Sequence, residues 1–289
     1  MSSRRHERGA ALVVVLWGIA LIAAAVIAIG MTSRSESLIG RNTLENARAR
    51  QAAEAGVQLG LHRLLSYPRG AHLFDGRPAT WRDGPTTVAL AIQDEEGKVD
   101  VNAASFDLIA GALRSAGLPA AQARFAACRI VARRGFVDPQ CLADGQPPPA
   151  VEPGILAAIE ELRRLIGIDD ALYARLTRSV TVFSGSAAID PRVAPRDALL
   201  AVPTLSEGLV DNYIDHRAIS QGAGGGDLGG LGGELRDRRY FALTTGRSFT
   251  ISAQATTPGG GHYRTEMVVR LTFRADQPYA VLAWREPAG

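Results

Sequence analysis

Residues 10–31 read AALVVVLWGIALIAAAVIAIGM, an apolar run without one charged side chain. As a helix rising about 1.5 Å per residue it extends roughly 33 Å, enough to cross a hydrocarbon core of about 30 Å. Arg4, Arg5 and Arg8 precede it, so the positive-inside rule places the N-terminus in the cytoplasm and the rest outside. A cleaved secretory signal is the competing reading, but its apolar core spans about 7–15 residues and ends before a turn. Here no Pro follows. Helix-compatible sequence continues to residue 65, with Leu38, Leu61 and Leu65 apolar and Gly40, Gly56 and Gly60 the only breakers. The expectation is one helix of about 55 residues, half in the membrane (10–33) and half a stem outside it (34–66).

Composition fits this division. The chain has 289 residues, 46% of them hydrophobic and 21% charged, which excludes collagen-like and wholly disordered classes. The formal charge is +3, and Arg4, Arg5 and Arg8 against Glu7 supply most of it. Lys98 is the only lysine, so the charge does not describe a nucleic-acid-binding patch. Cys128 and Cys141 are too few for a disulfide framework and are not spaced for zinc.

Past the stem, Tyr67-Pro68-Arg69-Gly70 marks a break, and the sequence up to Pro85 is loop-like. Residues 86–93 (TTVALAIQ) read as a strand buried on both faces. The acidic run DEEGKVDVNA (94–103) then leads into a helix starting near Ser105, and IDPRVA (189–194) leads into another over 195–201. Each lead-in opens a helical hairpin, 108–131 broken at Gly117-Leu118-Pro119 and 198–217 broken at Val202-Pro203-Thr204. Two diverged repeats are expected, about 98–134 and 187–217. An amphipathic helix over 155–166 and a strand over 179–183 lie between them. The Gly-rich stretch 222–233 reads as a flexible loop and lacks the lysine of a phosphate cradle. Strands are expected over 248–256, 266–274 and 279–284, with Pro258-Gly259-Gly260-Gly261 turning the first hairpin. The expected fold is α+β: a long N-terminal helix packed on an antiparallel sheet (67–94 and 247–289), with a large helical domain (95–246) inserted.

Arg8-Gly9-Ala10-Ala11-Leu12-Val13-Val14 resembles a type IV prepilin-like leader, which a dedicated peptidase cuts between Gly9 and Ala10 to remove residues 1–9. Most pilins and pseudopilins carry Glu at the fifth mature position; here it is Val14. An intramembrane carboxylate costs about 2.5–3.5 kcal/mol and persists only where a partner compensates it. In pilin-like filaments that partner is the subunit above, so Val14 suits a subunit with nothing above it. Together with the DEEGKVDVNA run, the second run over 189–203 and the ending YAVLAWRE (279–286), this resembles the type II secretion minor pseudopilin K family (general secretion pathway protein K). Asp190-Pro191-Arg192 departs from the usual asparagine-centred second run.

That resemblance implies a pilin-like fold at the tip of a short periplasmic pseudopilus, initiating its assembly and supporting export of folded proteins across the outer membrane. It implies a single-pass inner-membrane protein with its bulk in the periplasm. Expected partners are minor pseudopilins I and J, with H, the major pseudopilin and the prepilin peptidase, and neither nucleic acid nor a small-molecule substrate. It also raises calcium as a cofactor, with Asp138, Asp144 and Glu152 the candidate ligands, though six to eight oxygens are needed. Cys128 and Cys141 flank that loop, face an oxidising compartment and are expected to pair.

Alternatives bear on the helical hairpins and the anchor. DNA-binding hairpins offer backbone amides from a Gly-x-Gly turn. The turns here, Pro203-Thr204-Leu205-Ser206 and Gly117-Leu118-Pro119-Ala120, have neither that pair nor a basic residue, which favours a packing role. A minor pilin or competence-type pseudopilin acting in adhesion or DNA uptake is the second reading, and a periplasmic binding module on an ordinary anchor the third. Five scattered histidines (His6, His62, His72, His216 and His262) suggest no triad or metal site, so no enzyme is expected. Asp169-Asp170 read as a helix cap.

Overall fold

The computed structural model of the chain describes residues 6–67, 74–142, 151–222, 237–244, 246–272 and 274–286. Helix α1 (His6–Ser66) is unbroken over 61 residues and runs through Gly40, Gly56 and Gly60. Its first half leaves Leu12, Val14, Trp17, Leu21 and Ile22 exposed on every side. Among the described residues, no helix is long and apolar enough to cross a membrane. Its second half carries Ala49, Ala52, Ala53, Val57, Leu61 and Leu64 at helical spacing, and all six are buried.

That stripe lies on an antiparallel sheet built from β1 (Ala79–Asp83), β2 (Thr86–Asp94), β5 (Ser248–Thr256), β6 (His262–Leu271) and β7 (Tyr279–Arg285). These five strands lie side by side in the order β1-β2-β5-β6-β7. The helix sits close because its contact residues are small. A Cβ on Gly60 would stand 2.5 Å from Ile251 Cγ2 and 2.9 Å from Leu90 Cδ1, and one on Gly56 2.9 Å from Ala253 Cβ. The core between helix and sheet is completed by Val88, Ile92, Phe249, Met267 and Val269.

Central strands β2 and β5 pair directly, from Thr87↔Thr256 to Asp94↔Phe249. Everything from Glu95 to the start of β5 is thus inserted between two adjacent strands. The insertion begins with a 3₁₀ turn (Glu95–Gly97) and β3 (Val99–Asp100), followed by α2 (Phe106–Ser115), α3 (Ala120–Arg133) and α4 (Pro139–Leu142). Then come α5 (Glu161–Ile166), α6 (Asp170–Leu176), β4 (Val180–Thr181), α7 (Arg196–Leu199) and α8 (Glu207–Gly222). β3 and β4 form a short parallel pair. This part has its own core, in which Leu108, Leu113, Ile130, Leu162, Leu176, Ile189, Leu199 and Tyr213 are buried. Ser105 Oγ caps α2 by accepting from Leu108 N, and Asp169 Oδ1 caps α6 by accepting from Leu172 N at 2.7 Å.

Several sequence expectations need correction. The loop-like stretch before Pro85 contains β1, whose exposed charged side chains hide the alternation of an edge strand. β2 alternates buried with partly exposed residues rather than burying both faces. The helix expected over 155–166 starts only at Glu161. Leu156 instead pairs its backbone with the Asn102 side chain (2.8 and 2.9 Å), and Glu161 Oε1 accepts from Ala157 N and Ala158 N. β6 spans His262–Leu271 rather than 266–274, because the turn closes tightly: Gly260 N donates to Thr257 O, and Thr257 N to Gly261 O. The helical hairpins appear as α2–α3 and α7–α8, but 10 and 14 residues face 4 and 16, so the units are not equal. The Gly-rich loop lies almost entirely outside the described residues.

Replacing Gly60 with Val should destabilise the chain by about 1–3 kcal/mol through overpacking. A Cβ added at Gly40 would meet nothing within 4 Å, so Gly40→Ala should gain up to about 1 kcal/mol from helix propensity. Denaturant unfolding followed by circular dichroism measures both, and equal effects would contradict the close approach.

Candidate functional site

The chemistry-rich part of the chain is the junction where the insertion leaves β2. Asp94, Glu95, Glu96, Lys98 and Asp100 are all buried there. Asp94 Oδ1 accepts from Glu96 N at 3.0 Å, capping the 3₁₀ turn. Glu95 Oε1 accepts from Lys98 Nζ and from Thr250 Oγ1 of β5, each at 2.7 Å. Glu96 accepts through its carbonyl from Asp190 N at 2.8 Å and through Oε2 from Thr244 Oγ1 at 3.2 Å. Gln93 Nε2 bridges the carbonyls of Asp94 and Val193. Gly97 packs so tightly on Val193 that a Cβ would stand 2.6 Å from its carbonyl oxygen.

The two lead-ins use the same local device. Asp100 Oδ1 accepts from Asn102 N at 2.7 Å, and Asp190 Oδ1 accepts from Arg192 N at 2.9 Å, each folding the backbone two residues on. Asp100 Oδ2 also accepts from Gly185 N at 2.7 Å. Asp190 is clamped by the Arg192 side chain at 2.6 Å, so the departure Asp190-Pro191-Arg192 exchanges an asparagine network for an ion pair.

Asp94, Glu95, Glu96, Asp100 and Asp190 share this junction with the cations Lys98 and Arg192. Burial pushes the Asp94 carboxyl up to about 8, with Glu96, Asp190 and Glu95 adding to the effect. Burial likewise raises Glu96 and Asp100. The hydrogen bonds of the cluster run between the sheet and the insertion, so its physical role is to fix one on the other.

Other residues singled out by sequence are dispersed. Gly9 and Ala10 lie on α1, where side-chain surroundings are outside the described residues. Val14 is 70% exposed on the same helix. Cys128 of α3 and Cys141 of α4 are joined by a disulfide. Asp138 Oδ1 accepts from Gln140 N at 2.9 Å and so caps α4. Glu152 offers its carbonyl to Arg133 Nη1, and Asp144 lies outside the described residues. Among the described residues, no group of three or more His, Cys, Asp or Glu side chains is placed to hold a metal ion. The described ligands therefore do not assemble a calcium shell. At the hairpin turn after α2, Arg175 Nε donates to Ala116 O at 2.6 Å, so a helix α6 side chain covers that turn.

The sequence singles out the acidic run but not its partners. Thr244, Thr250 and Asp190 lie about 90 to 155 positions away in sequence, and nothing local signals them.

No protein-family model matches the chain, and no curated protein matches it. Among solved structures, it is similar to a chain of the GspK-GspI-GspJ complex from the type 2 secretion system of enterotoxigenic Escherichia coli. The TM-score is 0.51 at 14% identity, over 89% of this chain and 99% of that one. The likeness shows the fold, insertion included.

Two outcomes are expected. A carboxyl held above its unfolded value favours the folded state while it is protonated. Stability should therefore be full below the ordinary value of 3.8 and be lost as pH rises through about 8. Melting curves from pH 4 to 9 should show that fall, and Asp94→Asn should flatten it; an unchanged slope in the variant would contradict the assignment. Replacing Cys128 and Cys141 by Ser should lower stability by about 2–4 kcal/mol in chemical denaturation.

Proposed function

We propose that the chain is a minor pseudopilin of a type II secretion system, of the K kind, seated at the tip of the periplasmic pseudopilus. The observation that carries the reading is the position of the insertion, between two adjacent central strands of a sheet packed on one long helix. The similarity to a chain of the GspK-GspI-GspJ complex supports it over 89% of the length. The chain acts mechanically rather than catalytically.

In this reading residues 1–9 are a leader removed after Gly9, and the apolar run 10–33 anchors the subunit in the inner membrane and joins the helical bundle. The stem and sheet face the periplasm beside minor pseudopilins I and J. The inserted domain adds bulk that obstructs any subunit stacking above, and Val14 removes the carboxylate that such a subunit would compensate. Both features assign the same place, and the subunit starts assembly of the filament that supports export of folded proteins.

Immunogold labelling of pseudopili assembled with this chain should mark one end of each filament. Label along the shaft would contradict the tip assignment. Val14→Glu should lower incorporation several-fold, since an unpaired intramembrane carboxylate costs about 2.5–3.5 kcal/mol; unchanged incorporation would show that a subunit above compensates it.

A further inference from the structure

A cleft of about 480 Å³ opens at the seam between the sheet-side segment before β1 and helices α7 and α8 of the insertion, lined by Asp75, Arg77, Pro195, Ile214, Asp215 and Arg217 among others. Its floor is unusual. Arg217 is buried and donates from Nη1 to the carbonyls of Pro191 (2.8 Å) and Ala194 (2.7 Å), yet its Nε has no hydrogen-bond partner. Asp75 Oδ2 is also buried without a hydrogen bond, although Arg77 Nε lies 3.1 Å away and Arg217 Nη2 3.7 Å away. The floor therefore holds one unused donor and one unused acceptor side by side.

That pairing selects its ligand. An anion would gain from Arg217 but meet the Asp75 carboxylate; a cation would meet the opposite conflict. A neutral group with an N–H beside a C=O satisfies both, and the amide is that group. Pro195 and Ile214 supply apolar wall, and the volume accommodates a short stretch of chain rather than a single amide. At the rim, Asp215 is exposed and makes no ion pair among the described residues, so it can receive a basic side chain next to the bound amide. Arg196, also lining the cleft, is already engaged by Asp211 at 2.6 and 3.0 Å.

We propose that this cleft binds an extended polypeptide segment of a neighbouring pseudopilin subunit, seating an amide between Asp75 and Arg217. The inference rests on the pseudopilin reading and adds a specific docking site to it. Because the cleft is made jointly by the sheet side and the insertion, an occupant would also hold these two parts together.

The test uses the full chain coexpressed with minor pseudopilins I and J, with p-benzoylphenylalanine placed at position 215 and, as a control, at the exposed position 178. Irradiation of the copurified complex should crosslink position 215, not 178, to one of those subunits. Asp215→Arg, which removes no ion pair within the described residues, should weaken complex formation about tenfold while leaving the melting temperature unchanged. If the complex forms but position 215 crosslinks to neither subunit and Asp215→Arg binds as the parent does, the cleft holds only ordered water and the proposal fails. A crosslink to an exported protein instead would overturn it as well. If no complex forms with the parent chain, the failure belongs to the pseudopilin reading itself.

Discussion

The pairing of β2 with β5 is the constraint on which the rest of the structure depends. Their register from Thr87↔Thr256 to Asp94↔Phe249 brings together strands separated by the whole insertion. Closing so long a loop is entropically unfavourable, though the cost grows only slowly with length. Two features offset it. Small residues let α1 settle across β2, β5 and β6, so that Ala49, Ala53, Val57, Ile251 and Ala253 share one core. The insertion has an independent core of its own, which folds the intervening chain into a compact body whose ends already lie close together.

Between these cores the contact is polar. Asp94 to Asp100 meet Asp190, Arg192, Thr244 and Thr250 through buried hydrogen bonds rather than apolar packing. Directional bonds fix an orientation more strictly than greasy contact does, and they leave little tolerance for an unpaired group. An insertion whose role is to stand at a set angle above a helix bundle needs that kind of attachment. The excess of acids over cations makes it sensitive to proton activity, through the raised Asp94, Glu96 and Asp100 carboxyls.

Local signals in the sequence read well. The apolar periodicity of the stem, the β-formers of β2, β5 and β7, and the caps at Ser105 and Asp169 each arise from residues near one another in the chain, and each has a structural counterpart. What escapes such a reading is non-local. β1 is an edge strand whose Arg82 and Asp83 imitate a loop, and its identity depends on pairing with Thr86 and Thr87. The helix expected from residue 155 loses its first turn because Asn102, over fifty positions earlier, takes the backbone of Leu156. The acidic run is conspicuous, but its function as a joint is written in partners far away. The Asp75–Arg217 floor joins residues from two different parts of the fold and has no signature in either neighbourhood.

The central claim is that this chain is built to join other pilin-like subunits from a terminal position. Native mass spectrometry of the membrane complex purified by a tag on this chain, after coexpression with minor pseudopilins I and J, tests it most directly. The expected species holds one copy of this chain with one of each partner, its mass reduced by residues 1–9. A species containing two or more copies of this chain, or the chain alone with its leader intact, would contradict it.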